Sequence, residues 1–525
     1  MNKILQLFNR RTSVSAAAMI ISASYLISRL LGLLRDRLLV SNFGISPLTD
    51  AYTAAFRLPE LLFTLLVSGA FAVAFIPVLA QHLSKGEQEE AWELSSILLN
   101  LLAVVTIAVG IIAFIFADPI TRLIAPGFDE FRHNLTVDLT RIMLITPFLF
   151  AISSVLGGIQ QSFNRFMFFA LASVFYNLGI IFGIVFLSGD YSIYGVAYGV
   201  VIGAALQALL QILGLSGLGY RYRPSFNFRN KNVGKVVRLM IPRSLDQGID
   251  QLHYTVETII GSRLATGSLT SLYYANNLKN VPLSLIGVSI ATAVFPRMAA
   301  RAAKGSMQKL IRDFVVNARL ILFLVIPAAT VALLMRGYIV RLLYGFGDAT
   351  TANVLGWFAG VIIFQSLFFL VARMFYAMQD SKTPLYISIA AIGANIGLSL
   401  VLTEKFGVVG LAMAQSVVVT AETLVLLGIL KYRLGSIGGR SILQGVFKML
   451  IANAVMAGTI YILVARVLPL YKADVGFGVV GPKFFIILTA GILAYLIPCY
   501  ILQLKEAKIF VGKIKEQIAR PLSLT

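Results

Sequence analysis

Arg29, Arg35 and Asp36 stand in the run Ser28-Arg29-Leu30-Leu31-Gly32-Leu33-Leu34-Arg35-Asp36, inside an otherwise apolar segment from Ala16 to Val40. A charged side chain at membrane depth is costly. It therefore faces a bundle interior or a water-filled cavity, and it commonly marks a pathway. At about 100° per residue, Arg29 and Asp36 share one helical face, and Ser28 and Arg35 share a neighbouring one. A cationic cavity inside a membrane bundle is a site for an anionic substrate. Arg35 and Arg37 have a plainer alternative: they extend to an interface, and Asp36 pairs with one of them. Arg29 has apolar sequence on both sides, which weakens that alternative for it.

A second constellation is Asp246, Asp250, His253 and Glu257, whose spacing of four, three and four puts them on one helical face. Carboxylates at membrane depth must be paired, protonated or ion-bound. The alternative is a polar face satisfied by Arg243, Lys279 and water. No Gly-rich Lys-Ser/Thr loop for a nucleotide is present, and His82, His133 and His253 are too scattered for a metal site. These features point to a transporter rather than an enzyme. It has no catalytic residues or cofactor, and it draws on an ion gradient, the membrane potential or the substrate gradient.

The elements that carry these residues are membrane helices. The chain has 525 residues, of which 58% are hydrophobic and only 13% charged, with a mean hydropathy of +0.85. Apolar runs near 20 residues long indicate helices rather than barrel strands. The expected fold is therefore an all-α polytopic membrane protein. The single cysteine, Cys499, excludes an internal disulfide. The first apolar run lacks a small-residue cleavage site and reads as a retained span rather than a signal peptide. The net charge of +21 would suggest nucleic acid in a soluble protein. Here it belongs to cytoplasmic loops that set topology, and no nucleic-acid motif competes.

About fourteen spans are expected, at 14–42, 52–82, 92–117, 135–161, 165–188, 192–216, 237–264, 268–298, 312–336, 351–377, 383–403, 408–430, 445–468 and 481–504. Basic residues concentrate on alternate loops, notably 220–238, and in the tail from Lys505. That asymmetry puts both termini in the cytoplasm. Ala74-Phe75-Ile76-Pro77 matches Ala293-Val294-Phe295-Pro296, Arg122-Leu123-Ile124 matches Arg341-Leu342-Leu343, and Asn177-Leu178-Gly179 matches Asn395-Ile396-Gly397. The offset is about 218 residues throughout, the mark of an internal repeat. The expected organisation is a six-helix half (1–218), a basic cytoplasmic linker (219–236), a second six-helix half (237–432), and two extra helices with a basic tail (433–525). Six spans per half give both the same orientation, with a central cavity between them. Pro59, Pro77, Pro242, Pro282 and Pro296 are candidate hinges for alternating access. For Pro77 and Pro296, simple helix termination is an equal alternative.

Several stretches resemble the MurJ/MviN family of bacterial lipid II flippases, within the multidrug/oligosaccharidyl-lipid/polysaccharide exporter superfamily. They are Ser28-Arg29-x-x-Gly32-x-x-Arg35-Asp36, Asp50-Ala51-Tyr52-x-x-Ala55-Phe56-Arg57-x-Pro59, Gly69-Ala70-Phe71-x-x-Ala74-Phe75-Ile76-Pro77, Ala125-Pro126-Gly127-Phe128, Tyr273-Tyr274-Ala275 and Asp380-x-Lys382-Thr383-Pro384. The resemblance implies a multi-pass flippase of the bacterial cytoplasmic membrane, a monomer among membrane lipids. Its substrate would be the undecaprenyl-pyrophosphate-linked peptidoglycan precursor, moved from inner to outer leaflet by alternating access. Guanidinium groups bind pyrophosphate oxygens in pairs. The substrate residues implied are Ser28, Arg29, Arg35, Asp36 and Arg57. Glu60 and Phe63 stand where many relatives have Asn and Arg, and Asn276-Asn277-Leu278-Lys279-Asn280 follows Tyr-Tyr-Ala where many have Asp-Arg. Lys279 is a candidate to compensate for a missing cavity arginine, as is Arg243. The resemblance also implies Glu257, Asn395, Ser399 and Gln415 as a cation site, with Na+ or H+ as the coupling ion where one is used. The runs Met449 to Ala465 and Phe484 to Leu504 would line a groove for the lipid tail. The missing arginines favour a second reading, a flippase for another polyprenyl-linked glycan. A drug/cation antiporter of the same superfamily is a third, and it fits the basic first span less well.

Overall fold

The charged first segment forms one helix, α1 (Val14–Phe43), and the helices that follow it build a compact unit ending at Thr270. That unit holds α2 (Pro47–Ala55), α3 (Arg57–Leu66), α4 (Ser68–Ser84), α5 (Gln88–Ile115), α6 (Ala117–Ile124), α7 (Glu130–Met143), α8 (Thr146–Ser162), α9 (Met167–Phe182), α10 (Ser188–Tyr191), α11 (Ile193–Gly214) and α12 (Lys231–Ser262). A second unit runs from Ser271. It comprises most of α13 (Ser268–Pro282), then α14 (Ser289–Ala303), α15 (Met307–Leu334), α16 (Arg336–Tyr344), α17 (Ala349–Ala377), α18 (Lys382–Phe406), α19 (Val408–Leu434), α20 (Gly439–Ile462) and α21 (Phe477–Ile501). This computed structural model describes residues 14–345 and 347–508, apart from the side chains at 14, 15, 18, 68–73, 242, 243, 245, 246, 249 and 250. The Gly69-Ala70-Phe71 motif, Pro242, Arg243, Asp246 and Asp250 thus fall on side chains outside the described residues.

Among the described residues, eleven helices are long and apolar enough to cross a membrane. The three other expected spans are helical but fail on composition or continuity. α1 contains Arg29, Arg35, Asp36 and Arg37, and α12 contains Lys231, Lys235, Arg238 and Glu257. The segment expected as one span over 52–82 is instead divided into α2, α3 and α4, with breaks at Phe56 and Val67. The first break has a covalent cause. Pro59 has no N–H to return to the Ala55 carbonyl, and the Thr140 hydroxyl donates to that carbonyl instead, at 3.4 Å. The spans that hydropathy alone passes over carry Ser28, Arg29, Arg35, Asp36, Arg57 and Glu257, whereas Lys279, Asn395, Ser399 and Gln415 lie on spans it finds.

In the first unit α9 packs on both α1 and α11. Glycines permit the approach to α11: a Cβ on Gly179 would lie 2.3 Å from the Gly203 Cα. Close backbone contact through small residues is a general solution for membrane helices. Trp92 stacks on Phe163 at 5.5 Å, in a core that also buries Phe75, Leu79, Ile97 and, from α12, Val233, Val236 and Met240. Packing therefore groups α12 with the first unit, while the sequence repeat begins its second copy near the same helix.

In the second unit α17 packs against α15 and α19, α18 against α19, and the pair α20–α21 joins through α15. Helices run through Pro77 and Pro296, ending seven residues later at Ser84 and Ala303. Pro282 leads directly into a π-helical turn, Leu283–Val288, which is a recognised way of absorbing a kink.

The Asp380-x-Lys382-Thr383-Pro384 motif caps α18. The Asp380 carboxylate accepts from the Lys382 and Thr383 amides, each at 3.0 Å, from the Thr383 hydroxyl at 2.6 Å, and from the Arg433 guanidinium. These bonds, the Thr383 hydroxyl foremost, hold its carboxyl down to about 2, from an ordinary 3.8. Asp380 therefore stabilises the fold fully above pH 3.8, and the contribution is lost as pH falls towards 2. Asp380→Asn should melt below wild type at pH 7, and the gap should close on titration from pH 4 to pH 2 in a thermal-melt series. A gap that widens on acidification would contradict this account of the loop.

Candidate substrate site

The site in the first unit is a hydrogen-bonded joint between α1 and α9. Arg35 donates from Nε and Nη2 to Asp36 Oδ1, at 3.0 and 2.7 Å, and from Nη1 to Asn177 Oδ1 at 3.3 Å. The Asn177 amide nitrogen in turn donates to Ser28 Oγ at 3.1 Å and to the Ser173 carbonyl at 3.0 Å. Ser28 Oγ donates to that same carbonyl at 3.2 Å. Gly32 fits beneath, its missing Cβ 3.7 Å from Asn177 Oδ1. Asp36 is buried, and Ser28, Arg29 and Arg35 are half-buried.

Three expected residues are thus joined by a fourth, Asn177, which the candidate site did not include. Its signal was present in the sequence: an amide inside an apolar span, repeated as Asn395 in the second half. The arrangement gives the two arginines different states. Arg35 is braced by Asp36 and Asn177. Arg29 makes no hydrogen bond or ion pair with the described residues, so its five N–H donors remain for a ligand.

Arg57 belongs to a second cluster in this unit. Its Nε donates to Thr258 Oγ1 at 2.9 Å, its Nη1 lies 3.6 Å from Glu60 Oε2, and its guanidinium sits 5.6 Å from the Tyr254 ring centre. One residue from Thr258 is Glu257, only 5% exposed, whose Oε1 lies 3.2 Å from His253 Nε2. Glu60 partners Arg57.

Two of the motifs fix the turn between α12 and α13, Asp50 at the start of α13 and Gly127 at the end of α12. Buried Asp50 accepts from the Gly267 amide at 2.5 Å, the Thr270 amide at 3.0 Å and the Thr270 hydroxyl at 2.7 Å. The Gly127 amide donates to Ser262 Oγ at 3.2 Å, and a Cβ at Gly127 would stand 2.4 Å from the Arg263 Cα. No other side chain fits that contact without moving backbone.

The second unit holds the remaining candidates. Lys279, 2% exposed, donates to Gln415 Oε1 at 2.9 Å and lies 4.2 Å from the Phe358 ring centre. A residue expected at the substrate and one expected at a cation are therefore bonded to each other. Ser399 Oγ donates weakly to Asn395 Oδ1 at 3.5 Å, and both residues are buried on α18. Glu257 belongs to the first unit, and Asn395, Ser399 and Gln415 belong to the second. Among the described residues no three His, Cys, Asp or Glu side chains cluster as metal ligands. The same unit contains an apolar cavity of about 430 Å3, lined by Leu278, Pro327, Val331 and Leu343 together with Met456 of α20 and Leu488 of α21.

A family model described as "Lipid II flippase MurJ" matches residues 39–477. The chain belongs to the MurJ lipid II flippase family. It is a transporter family rather than an enzyme family, and the residues of α1 before 39 lie ahead of the matched range. A probable lipid II flippase MurJ of Bdellovibrio bacteriovorus is 28% identical over 504 residues, 94% of this chain and 95% of the relative. The Thermotoga maritima relative of the same description is 28% identical, covering 91% and 94%. Among solved structures, a lipid II flippase MurJ in an inward closed conformation shares the fold with a TM-score of 0.76 at 24% identity, over 92% of this chain and 98% of that one. An inward-facing multidrug transporter of the MATE family shares it at 0.65 and 16%, over 80% and 98%.

The Asn177 bridge predicts a separable effect. Asn177→Leu should lower flipping in proteoliposomes about tenfold or more, because Arg35 loses its second acceptor. It should lower stability by about 1 kcal/mol for each Asn177 hydrogen bond removed, without abolishing folding. Normal flipping by this variant would show that the α1–α9 joint is packing alone.

Proposed function

We propose that the protein moves lipid II from the inner to the outer leaflet by alternating access, with Arg29 as the principal ligand of the substrate's pyrophosphate. The observation that carries this reading is the contrast within α1. Arg35 is held by Asp36 and Asn177, whereas Arg29 has its donors uncommitted among the described residues. A guanidinium at this depth without a protein partner is stabilised by an anionic ligand or by water. Ser28 and Asp36 act by positioning, and Arg57 is a further basic group on α3. The apolar cavity beside α20 and α21 suits the polyprenyl tail. The basic loops support a cytoplasmic location for both termini.

Ion coupling is proposed on the same terms. Glu257, held against His253, can exchange a proton or meet Na+, and Asn395 with Ser399 offers oxygens of the kind hard cations use. Gln415 is less suited, because the Lys279 ammonium already occupies its oxygen. Lys279 thereby supplies charge to the second unit from a buried position, and the pyrophosphate-binding role rests on α1.

The test is Arg29→Ala beside Arg29→Lys. Arg29→Ala should abolish flipping of lipid II in proteoliposomes and fail to restore growth after depletion of a native lipid II flippase, while folding to near-wild-type stability. Arg29→Lys should retain part of the activity, since a point charge replaces a two-pronged donor. Full transport by Arg29→Ala would overturn the pyrophosphate role. If the wild type flips another polyprenyl-pyrophosphate glycan but not lipid II, the substrate assignment fails while the cationic site stands.

A further inference from the structure

The second unit carries a basic cavity of about 840 Å3 away from the residues discussed so far, where α15 and α20 meet the segment after α21. Its wall is built around Arg319. Nε and Nη2 of this side chain donate to the two Glu506 carboxylate oxygens at 2.6 and 3.1 Å, and Nη1 donates to Ser441 Oγ at 3.2 Å. Glu506 is buried, and Gly445 leaves room for the guanidinium, since a Cβ there would stand 3.0 Å from Arg319 Cζ. The charges of Arg319 and Glu506 cancel, so the pair is structural.

The other two cations of the cavity are not cancelled in this way. Lys448 Nζ donates to the Leu502 carbonyl at 3.0 Å, which leaves two of its three N–H donors without a partner among the described residues. Lys505 makes no hydrogen bond or ion pair with the described residues. Gln444 and Gln503 complete the polar lining. Around these groups stand Leu443, Phe447 and Leu450, which are 70%, 67% and 51% exposed. Lys448 lies nine residues into α20, on a surface of exposed apolar side chains. A free inorganic anion would need the lysines but not the apolar rim.

We propose that this cavity binds the headgroup of an anionic phospholipid. Lys448 and Lys505 meet the phosphodiester, Gln444 and Gln503 meet headgroup hydroxyls, and Leu443, Phe447 and Leu450 pack on the acyl chains. Basic pockets between membrane helices are suited to such headgroups. The bound lipid would tie α20 and the segment after α21 to one another at the Arg319–Glu506 wall. Lysines that only extend to an interface would contribute to the response to anionic lipid no more than the control pair Lys304 and Lys309, and this separates the two explanations.

The experiment is a binding titration of the full chain in maltoside micelles doped with phosphatidylglycerol or phosphatidylcholine, read by thermal midpoint and by native mass spectrometry. Phosphatidylglycerol should raise the midpoint and remain bound, and phosphatidylcholine should do neither. Lys448→Gln with Lys505→Gln should weaken the phosphatidylglycerol response tenfold or more. Lys448→Arg with Lys505→Arg should preserve it, as should the charge-matched control Lys304→Gln with Lys309→Gln. The proposal is overturned if the double Gln variant responds like wild type, if the double Arg variant does not respond, or if phosphatidylcholine acts equally. An equal response to inorganic phosphate would identify a free-anion site and overturn the lipid assignment. The readout is binding, so it holds whether or not the flipping reading does.

Discussion

A guanidinium placed among apolar residues of a membrane helix has to be met by a partner, and the architecture around α1 follows from that requirement. Arg35 is met by a carboxylate on its own helix and by an amide on α9. For the amide to reach it, α9 must lie against α1. α9 also approaches α11 closely, through Gly179 and Gly203. The polar joint and the glycine contact thus act on opposite sides of one helix. One specifies where α1 sits, and the other lets the bundle close behind it. Arg29, on the same helix, keeps its donors uncommitted among the described residues.

The same logic separates anchoring residues from working residues elsewhere. Asp50 and Gly127 direct their hydrogen bonds to the turn between α12 and α13. Arg57 bridges to Thr258 and Tyr254, next to the Glu257–His253 pair. A change in charge at Glu257 would therefore be felt on α3 within a few side chains. In the second unit the Lys279–Gln415 bond, beside the Phe358 face, satisfies one donor of a buried ammonium and one acceptor of a buried amide.

Much of this was legible in the sequence, for reasons that differ by feature. Apolar run length gave the helices directly, because a bilayer fixes the length of a span. Arg29 and Arg35 stood out because of the cost of charge within an apolar helix. The division of the second expected span was less visible: Pro59 announces it, but the Thr140 hydroxyl that satisfies Ala55 comes from 85 residues away. Asn177 was visible as an amide repeated inside an apolar span, but nothing local showed that it joins Ser28 to Arg35. The Lys279–Gln415 bond joins residues 136 apart, and no local spacing predicts it. What the sequence does not carry, in each case, is the distant partner that satisfies a polar group.

The central claim is that Arg29 binds the substrate's diphosphate while Arg35 serves as its braced neighbour. The direct measurement is a nitrogen–phosphorus dipolar-dephasing experiment on protein labelled with 15N-arginine and loaded with lipid II in bilayers. The Arg29 guanidinium signal, assigned by its loss in Arg29→Lys, should be dephased strongly by the substrate's phosphorus, and the Arg35 signal more weakly. Dephasing confined to Arg35 or Arg57, with Arg29 unaffected, would contradict the account.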